Sequence, residues 1–462
     1  MNLRTSSFLA LGLFTIMAIL HVIDWNTSAS LPPILLTVSR WLFVISLGIY
    51  SWFKKSLTAW ILTSMVLGIL IGYEQRDFSQ DLKFLRQIFL NLVKTIVAPL
   101  LFSTLVVGIA GHSNLKQVGR LGWKSLLYFE VVTTVALVIG LIAINTSQAG
   151  VGIIQPDVLE KLPETKALTW DEHIVDIFPS NFIKAIYDGK VLQIVVFSVI
   201  FAIGLAMLPE DKKRPMIRAC ESLSETMFKF TNIIMYFAPI GIGAAMAVTV
   251  GHLGIGVLKN LAWLVITLYI ALLVFIFGVL LPIALFVKVP VRKFLQAIRE
   301  PVSIAFATTS SDSALPKAIE NMEKFGVPRK IVSFVIPTGY TFNLDGTTLY
   351  LSLAAVFVAQ AANIPLTIGE QITMGLILML TSKGVAAVPR ASLVILIATA
   401  DQFNLPLWPI AAIFGIDELM DMARTSVNVV GNCLASCVVA RWEGEFDDEK
   451  AHAFNERMAD AI

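Results

Sequence analysis

Asp417, Asp421, Arg424, Thr425, Asn428 and Asn432 form one polar stripe in an otherwise apolar segment, IAAIFGIDELMDMARTSVNVVGNCLASCVVA. Counted from Asp421, the others sit at −4, +3, +4, +7 and +11. At 3.6 residues per turn these offsets fall within about a quarter of a helix circumference. One charged side chain at the centre of a membrane helix costs roughly 2.5–3.5 kcal/mol on insertion scales. Two carboxylates and a guanidinium on one face therefore imply a polar ligand. Arg424 is suited to grip a carboxylate with its planar fork, and Asp421, nearly one turn earlier, is suited to hold an ammonium. The bland alternative is an ion pair inside the helix bundle.

The surroundings must place that stripe inside a membrane. The chain has 462 residues, of which 56% are hydrophobic and 15% charged, with a mean hydropathy of +0.77. Soluble domains carry about 25% charged residues, so the expectation is an all-α polytopic membrane protein. Apolar runs long enough to span the hydrocarbon core occur near 7–24, 35–53, 57–73, 88–110, 122–145, 184–208, 225–250 and 257–289. The net charge of +2 gives no support for a nucleic-acid partner. No HExxH, Walker A or GxGxxG pattern appears, so an enzyme using zinc, ATP or nicotinamide has no support. Cys220, Cys433 and Cys437 follow no metal-type spacing and imply no disulfide framework.

Basic residues orient the spans. Lys54 and Lys55, then Lys116, Arg120 and Lys124, then Lys212, Lys213, Arg214 and Arg218, then Lys288, Arg292, Lys293 and Arg299, fall on one side, expected to be cytoplasmic. The acidic loop at 147–182 falls outside, and the tail RWEGEFDDEKAHAFNERM is expected to extend the last helix into the cytoplasm. The first run, with Arg4 ahead of it and Ser28-Ala29-Ser30 behind it, reads as a signal peptide or as an added helical hairpin. The hairpin is the expectation adopted.

Two short segments in the last 160 residues echo each other. Thr309-Ser310-Ser311-Asp312-Ser313-Ala314-Leu315-Pro316 and Thr381-Ser382-Lys383-Gly384-Val385-Ala386-Ala387-Val388-Pro389 both open on Thr-Ser and close on an apolar residue and proline. Each precedes a polar-striped span, and each flanking arm is too short to cross alone. These features predict two re-entrant helical hairpins, at about 296–325 and 370–401, with tips near the midplane. Between Gly339 and Gly346 the segment TGYTFNLDGTT should unwind, freeing carbonyls beside Asn343 and Asp345. Oxygen-rich unwound backbone with a carboxylate suits a hard monovalent cation.

SSDSALPK, NLDGT, SKGVAAVP and DELMDMARTSVNVVGN, in this order and spacing, resemble the glutamate transporter family of dicarboxylate/amino acid:cation symporters, from about residue 57 to 445. YFE and the ending WEGEF resemble its bacterial proton/glutamate–aspartate members. The resemblance implies a homotrimer with eight family helices, working as an elevator in the bacterial inner membrane with the C-terminus cytoplasmic. It divides the chain into an extra transmembrane hairpin at 1–56, mainly scaffold and trimerisation helices at 57–255, a transport domain at 256–445, and a charged cytoplasmic tail at 446–462. The third family helix, 122–145, goes with the transport domain.

By the same resemblance, the substrate is glutamate or aspartate, held by Ser310, Ser311, Thr347, Val388, Asp421, Arg424, Thr425 and Asn428. The cation set is Gly339, Thr341, Asn343, Asp345, Ser382, Asn428 and Asn432. Departures from the sodium-coupled pattern weaken that set. Leu344 stands where methionine is usual and Asn432 where an aspartate is usual. Lys383 falls in the second hairpin tip, and Phe129 replaces a tyrosine. The expected coupling ion is therefore a proton, with sodium as the alternative, and no cofactor is expected. Glu130, in LLYFEVVTTVALVIG, is the candidate proton carrier, on the argument that burial raises a carboxyl pKa. Competing readings are an uncoupled carrier, a C4-dicarboxylate symporter and, in another class, a passive anion channel. Asp421 weighs against a plain dicarboxylate, which has no ammonium. Arg424 weighs against a neutral amino acid.

Overall fold

The computed structural model describes residues 2–26, 31–110, 115–153, 175, 178–188, 190–383, 391–403 and 405–454. Its elements among the described residues are all helical. They are α1 (Leu3–Asn26), α2 (Pro33–Lys54), α3 (Leu57–Glu74), α4 (Arg76–Asp81), α5 (Lys83–Ala110), α6 (Leu115–Ser147), α7 (Phe182–Tyr187), α8 (Val191–Ala206), α9 (Glu210–Met235) and α10 (Ala238–Leu253). There follow α11 (Val257–Phe275), a π-helical turn (Ile276–Leu280), α12 (Leu281–Phe286), α13 (Val291–Thr308), α14 (Ser311–Lys324), α15 (Arg329–Phe342), α16 (Asp345–Ala361), α17 (Ile368–Ser382), α18 (Ala391–Gln402), α19 (Trp408–Glu443) and α20 (Asp448–Ala453). Six helical stretches among the described residues are long and apolar enough to cross a membrane, or seven if the α9–α10 pair makes one span. This is a multi-pass membrane protein.

Two compact units emerge. The first comprises Met1–Leu92, Ile233–Lys259 and Phe414–Glu418. Its centre is the crossing of α3 and α10, where Gly68 and Gly72 face the backbones of Gly243 and Ala247, so that a Cβ on either α3 glycine would collide with a carbonyl oxygen. Small residues spaced four apart let membrane helices approach this closely. The residues of α2 and α3 meet through a buried Ser51–Thr63 hydroxyl pair at 2.8 Å. Arg40 Nε and Trp41 Nε1 donate to the two oxygens of Glu74 at 2.8 and 2.7 Å. That bidentate reception ties the added N-terminal hairpin to α3.

The second unit comprises Val93–Asn232, Asn260–Ile413 and Leu419–Ile462. Here α16 is almost wholly buried and packs along α6, where Gly140 meets Leu349 and Ser352 and Gly150 meets Phe357. The first hairpin turns at Thr309, whose φ of 52° is left-handed, and Ser310 then caps α14. The arms of the second hairpin are α17 and α18; its tip at 384–390 lies outside the described residues. In α17 the start is a capping box between Thr367 and Glu370.

Three expectations need correction. The apolar run 225–250 is not one helix: it breaks at Tyr236 and Phe237, and α10 restarts with Pro239 in its first turn, a position proline tolerates. The run 184–208 is divided into α7 and the sixteen-residue α8, because Asp188 caps the first and Lys190 opens the second. The tail does not extend α19. Gly444 closes that helix at φ 72°, as left-handed C-terminal glycines do, and the chain folds back.

The returning tail binds the ends of several helices within this unit. Lys124 donates to the Trp442 carbonyl and Glu443 at 2.8 and 2.6 Å. Arg441 donates to Asp448 and to the Lys288 carbonyl at 2.7 and 2.9 Å. Lys293 donates to the Phe454 carbonyl at 2.8 Å, and Phe446 and Phe454 each lie 5.9 Å from the Phe325 ring. The hydrogen bonds from Arg441 hold the Asp448 carboxyl below its ordinary value. A lowered folded-state value means the contact is fully present above the ordinary carboxylate pKa of about 3.9 and is lost as pH falls through the lowered one. The protection of 448–454 against hydrogen exchange, taken relative to the intrinsic rate at each pH, should therefore be flat from pH 5 to 8. In Arg441→Ala that protection should be lower at pH 7, approaching the protection left to the native tail in strong acid.

Candidate functional site

The stripe on α19 meets the broken span between α15 and α16. Asn343 and Leu344 leave helical geometry, and α16 begins at Asp345. The first amides of that new helix need acceptors. Asn428 supplies one: its Oδ1 accepts from Gly346 N at 2.8 Å and Thr347 N at 3.3 Å, and its Nδ2 donates to Thr347 Oγ1 at 3.0 Å. One turn on, Asn432 Nδ2 donates to the Asn428 carbonyl at 2.9 Å and to the Asn343 carbonyl at 3.4 Å. Asn343 Nδ2 donates to Asp345 Oδ2 at 3.1 Å and Asn432 Oδ1 at 3.3 Å.

Glycines make these approaches possible. A Cβ at Gly346 would strike the Arg424 backbone, one at Gly431 the Asp345 carboxylate, and one at Gly339 the Asn432 amide. Asn343, Asp345 and Asn432 are wholly buried.

Arg424 is also buried, at 2% exposure. Its Nε donates to Asp421 Oδ1 at 3.0 Å, and Thr425 Oγ1 donates to the same oxygen at 2.8 Å. The guanidinium carbon lies 4.2 Å from the Tyr350 ring centroid, a stacking suited to a weakly hydrated planar cation. An acid and a base, both out of water and a turn apart, can receive a ligand carrying both charges.

Of the expected substrate residues, the structure brings together Thr347, Asp421, Arg424, Thr425 and Asn428. Ser310 accepts from Ser313 N at 3.4 Å and Ser311 is buried in the first turn of α14; among the described residues neither is hydrogen-bonded to the stripe. Val388 lies outside the described residues. Asp417 is buried and falls in the first unit.

The expected cation set fits sodium only in part. Asn343 Oδ1 and Asp345 Oδ1 are buried with no hydrogen-bond partner among the described residues, which suits a cation. The other oxygens are engaged. Asn428 Oδ1 holds two amides, the Ser382 hydroxyl donates to the Met379 carbonyl at 2.9 Å, and the Gly339 carbonyl accepts from Asn343 N at 2.7 Å. Thr341 lies in the last turn of α15. A hard cation gathers about six oxygens, so beyond these two it has to share the Ser382 and Gly339 oxygens with the hydrogen bonds they already make.

Glu130 departs from its expectation. Its side chain is 44% exposed in this chain and pairs with Lys383 Nζ at 2.6 Å. The premise of deep burial is not met; an ammonium faces the carboxylate instead.

The sodium:dicarboxylate symporter family matches residues 57–442. The chain belongs to this family. Over 423 residues it is 42% identical to the proton/glutamate-aspartate symporter of Escherichia coli (strain K12), covering 88% of this chain and 97% of that relative. It is 42% identical over 412 residues to the proton/sodium-glutamate symport protein of Bacillus subtilis (strain 168), covering 86% and 95%. It is 40% identical over 405 residues to the C4-dicarboxylate transport protein of the same strain, covering 86% and 96%. As a member of a symporter family, the chain is a transporter and not an enzyme. The family match begins where α3 begins, so α1 and α2 lie outside it.

Sequence reasoning missed Tyr350 and the Glu130–Lys383 pair. Tyr350 had a signal, since it stands three residues after Thr347 and so on the same helix face. The pair had none, because its members are far apart in the chain.

Proposed function

We propose that the chain is a secondary active symporter that imports glutamate or aspartate, driven by protons. The observation that carries this reading is the buried Asp421–Arg424 pair with Tyr350 on the guanidinium. Arg424 receives the side-chain carboxylate, Asp421 the ammonium, and Thr425, Asn428 and Thr347 the remaining hydrogen bonds. Ser310, Ser311 and Val388, at the hairpin tips, hold the main-chain carboxylate, where half-helix N-termini favour an anion. The relatives named as proton/glutamate-aspartate and proton/sodium-glutamate symporters support the substrate class.

A second reading, C4-dicarboxylate symport, is favoured by the Bacillus subtilis relative of that name. Asp421 argues against it, because succinate offers no ammonium to balance a buried carboxylate. A passive anion channel has no use for a closed, hydrogen-bonded site. The working form is a homotrimer in the bacterial inner membrane with the C-terminus cytoplasmic. In it the helices of 256–445, with 122–145, move as an elevator against a scaffold drawn mainly from 57–255.

Uptake of labelled glutamate, aspartate and succinate into proteoliposomes, under imposed proton and sodium gradients applied separately, tests this. An inward proton gradient should accumulate glutamate or aspartate; accumulation driven only by sodium, or of succinate alone, would overturn the reading. Glu130 is the proposed proton carrier. Glu130→Gln should lose proton-driven accumulation while keeping exchange of internal for external glutamate. Unchanged accumulation with unchanged pH dependence would remove Glu130 from that role.

A further inference from the structure

Lys383 stands where α17 ends, and only 9% of it is exposed. Its ammonium lies 2.6 Å from Glu130 Oε1 and donates to the Phe342 carbonyl at 3.2 Å. Phe342 is the last residue of α15, and Lys383 directly follows the last residue of α17. One positive charge thus meets the carbonyl end of α15, a negative pole, and a carboxylate. The Phe342 carbonyl closes α15 just before the chain break. Asn343 Oδ1 and Asp345 Oδ1, buried and without a hydrogen-bond partner among the described residues, follow one and three positions later in the chain.

Carbonyls released by an unwound helix, with a carboxylate at hand, are the usual means by which a transporter holds a monovalent cation at membrane depth. The Lys383 ammonium has the same charge and meets the same kinds of oxygen. It differs in one respect, being bonded to the chain and unable to dissociate.

We propose that Lys383 is a resident cation: its ammonium replaces one alkali ion at the Phe342 carbonyl, so that substrate binding needs no sodium at this position. The inference rests on the acidic amino acid reading and extends it to the choice of coupling ion. It accounts for a lysine beside a cation site, for the carboxylate of Glu130 opposite it, and for the scarcity of free oxygens around Asn343. In its ionised form Glu130 is the counter-charge that keeps the ammonium seated, and on taking up the coupled proton it gives up that contact. The sodium that an exchangeable site would take up and release with each substrate is then absent from the stoichiometry at this point.

The native chain, Lys383→Met and Lys383→Arg, purified in detergent, should be compared for glutamate affinity in choline chloride and in sodium chloride at equal ionic strength. The native chain and Lys383→Arg should bind equally well in both salts. Lys383→Met should bind at least ~10-fold more weakly in choline, as expected when one partner of a desolvated charge pair is removed, and sodium should restore most of that loss. Sodium should also raise the unfolding temperature of Lys383→Met without substrate, and leave that of the native chain unchanged.

Native affinity for Lys383→Met in choline would overturn the inference. So would equal weakening of that variant in both salts, or strict sodium dependence of the native chain. If Lys383→Met does not fold, Lys383→Gln carries the same comparison. A native chain that binds neither glutamate nor aspartate in any salt refutes the substrate reading instead. The substrate-free unfolding temperatures then still decide the role of Lys383.

Discussion

Arg424→Lys should weaken glutamate and aspartate binding by roughly 30-fold or more while leaving the protein folded. The guanidinium is buried, ion-paired to Asp421 at 3.0 Å and stacked on Tyr350. Lysine keeps the charge but loses the fork and the stacking face, and its ammonium is more strongly hydrated. Truncating a buried charge pair costs about 2–5 kcal/mol, and every 1.4 kcal/mol is about tenfold in affinity. Isothermal titration of purified protein measures the change directly. An affinity within about threefold of the native chain would mean that Arg424 is a structural partner of Asp421 and that the carboxylate is read elsewhere. Arg424→Ala should be worse in a second way, since it strands the buried carboxylate of Asp421.

Asn428→Ala should lose both binding and stability. Asn428 Oδ1 is the acceptor for Gly346 N and Thr347 N at the start of α16, and its own carbonyl receives Asn432. Its removal leaves two buried amides without that acceptor, at about 1–3 kcal/mol each. The unfolding temperature in detergent should fall by several degrees. Transport should fall further than the stability loss explains, because the same amide fixes Thr347 Oγ1 at 3.0 Å on the face of α16 that carries Tyr350. Asn428→Asp retains the acceptor but cannot donate to Thr347 Oγ1. It should therefore recover much of the stability and little of the transport. If Asn428→Ala unfolds like the native chain, the break at Asn343 and Leu344 is held by something other than this side chain.

The stripe and the break were legible because both depend on local spacing. Six polar residues on one face of α19 need only helix periodicity to be seen together, and glycines flanking Asn343 and Asp345 need only backbone preference. The hairpin at Thr309 was legible for the same reason. Lys383 and Glu130 were each visible as an oddity but not as a pair, since what joins them is the packing of α17 and α15 near α6. Burial was the weaker inference: an intramembrane glutamate reads as buried from sequence, yet its exposure depends on which face α6 turns inward. The break at Tyr236 and Phe237 was hidden by unbroken hydrophobicity, which reports what a residue prefers to touch and not whether its helix continues. Gly444 did carry a sign of chain reversal, in the glycine that follows a basic helix end.

The crossing of α3 and α10 bears on how this molecule can change shape. Where Gly68 and Gly72 lie against Gly243 and Ala247, main chain rests on main chain, with only the Cβ atoms of Met246 and Val250 alongside. Long side chains swing to new rotamers when one helix slides past another; a carbonyl facing an α-carbon has no such freedom. A displacement of even one residue along this seam would drive Met65 or Leu67 toward the position now filled by hydrogen atoms. The seam is a weld and not a bearing. Any cycle of the protein must carry these two helices as one rigid rod, and a covalent staple between them should leave turnover untouched.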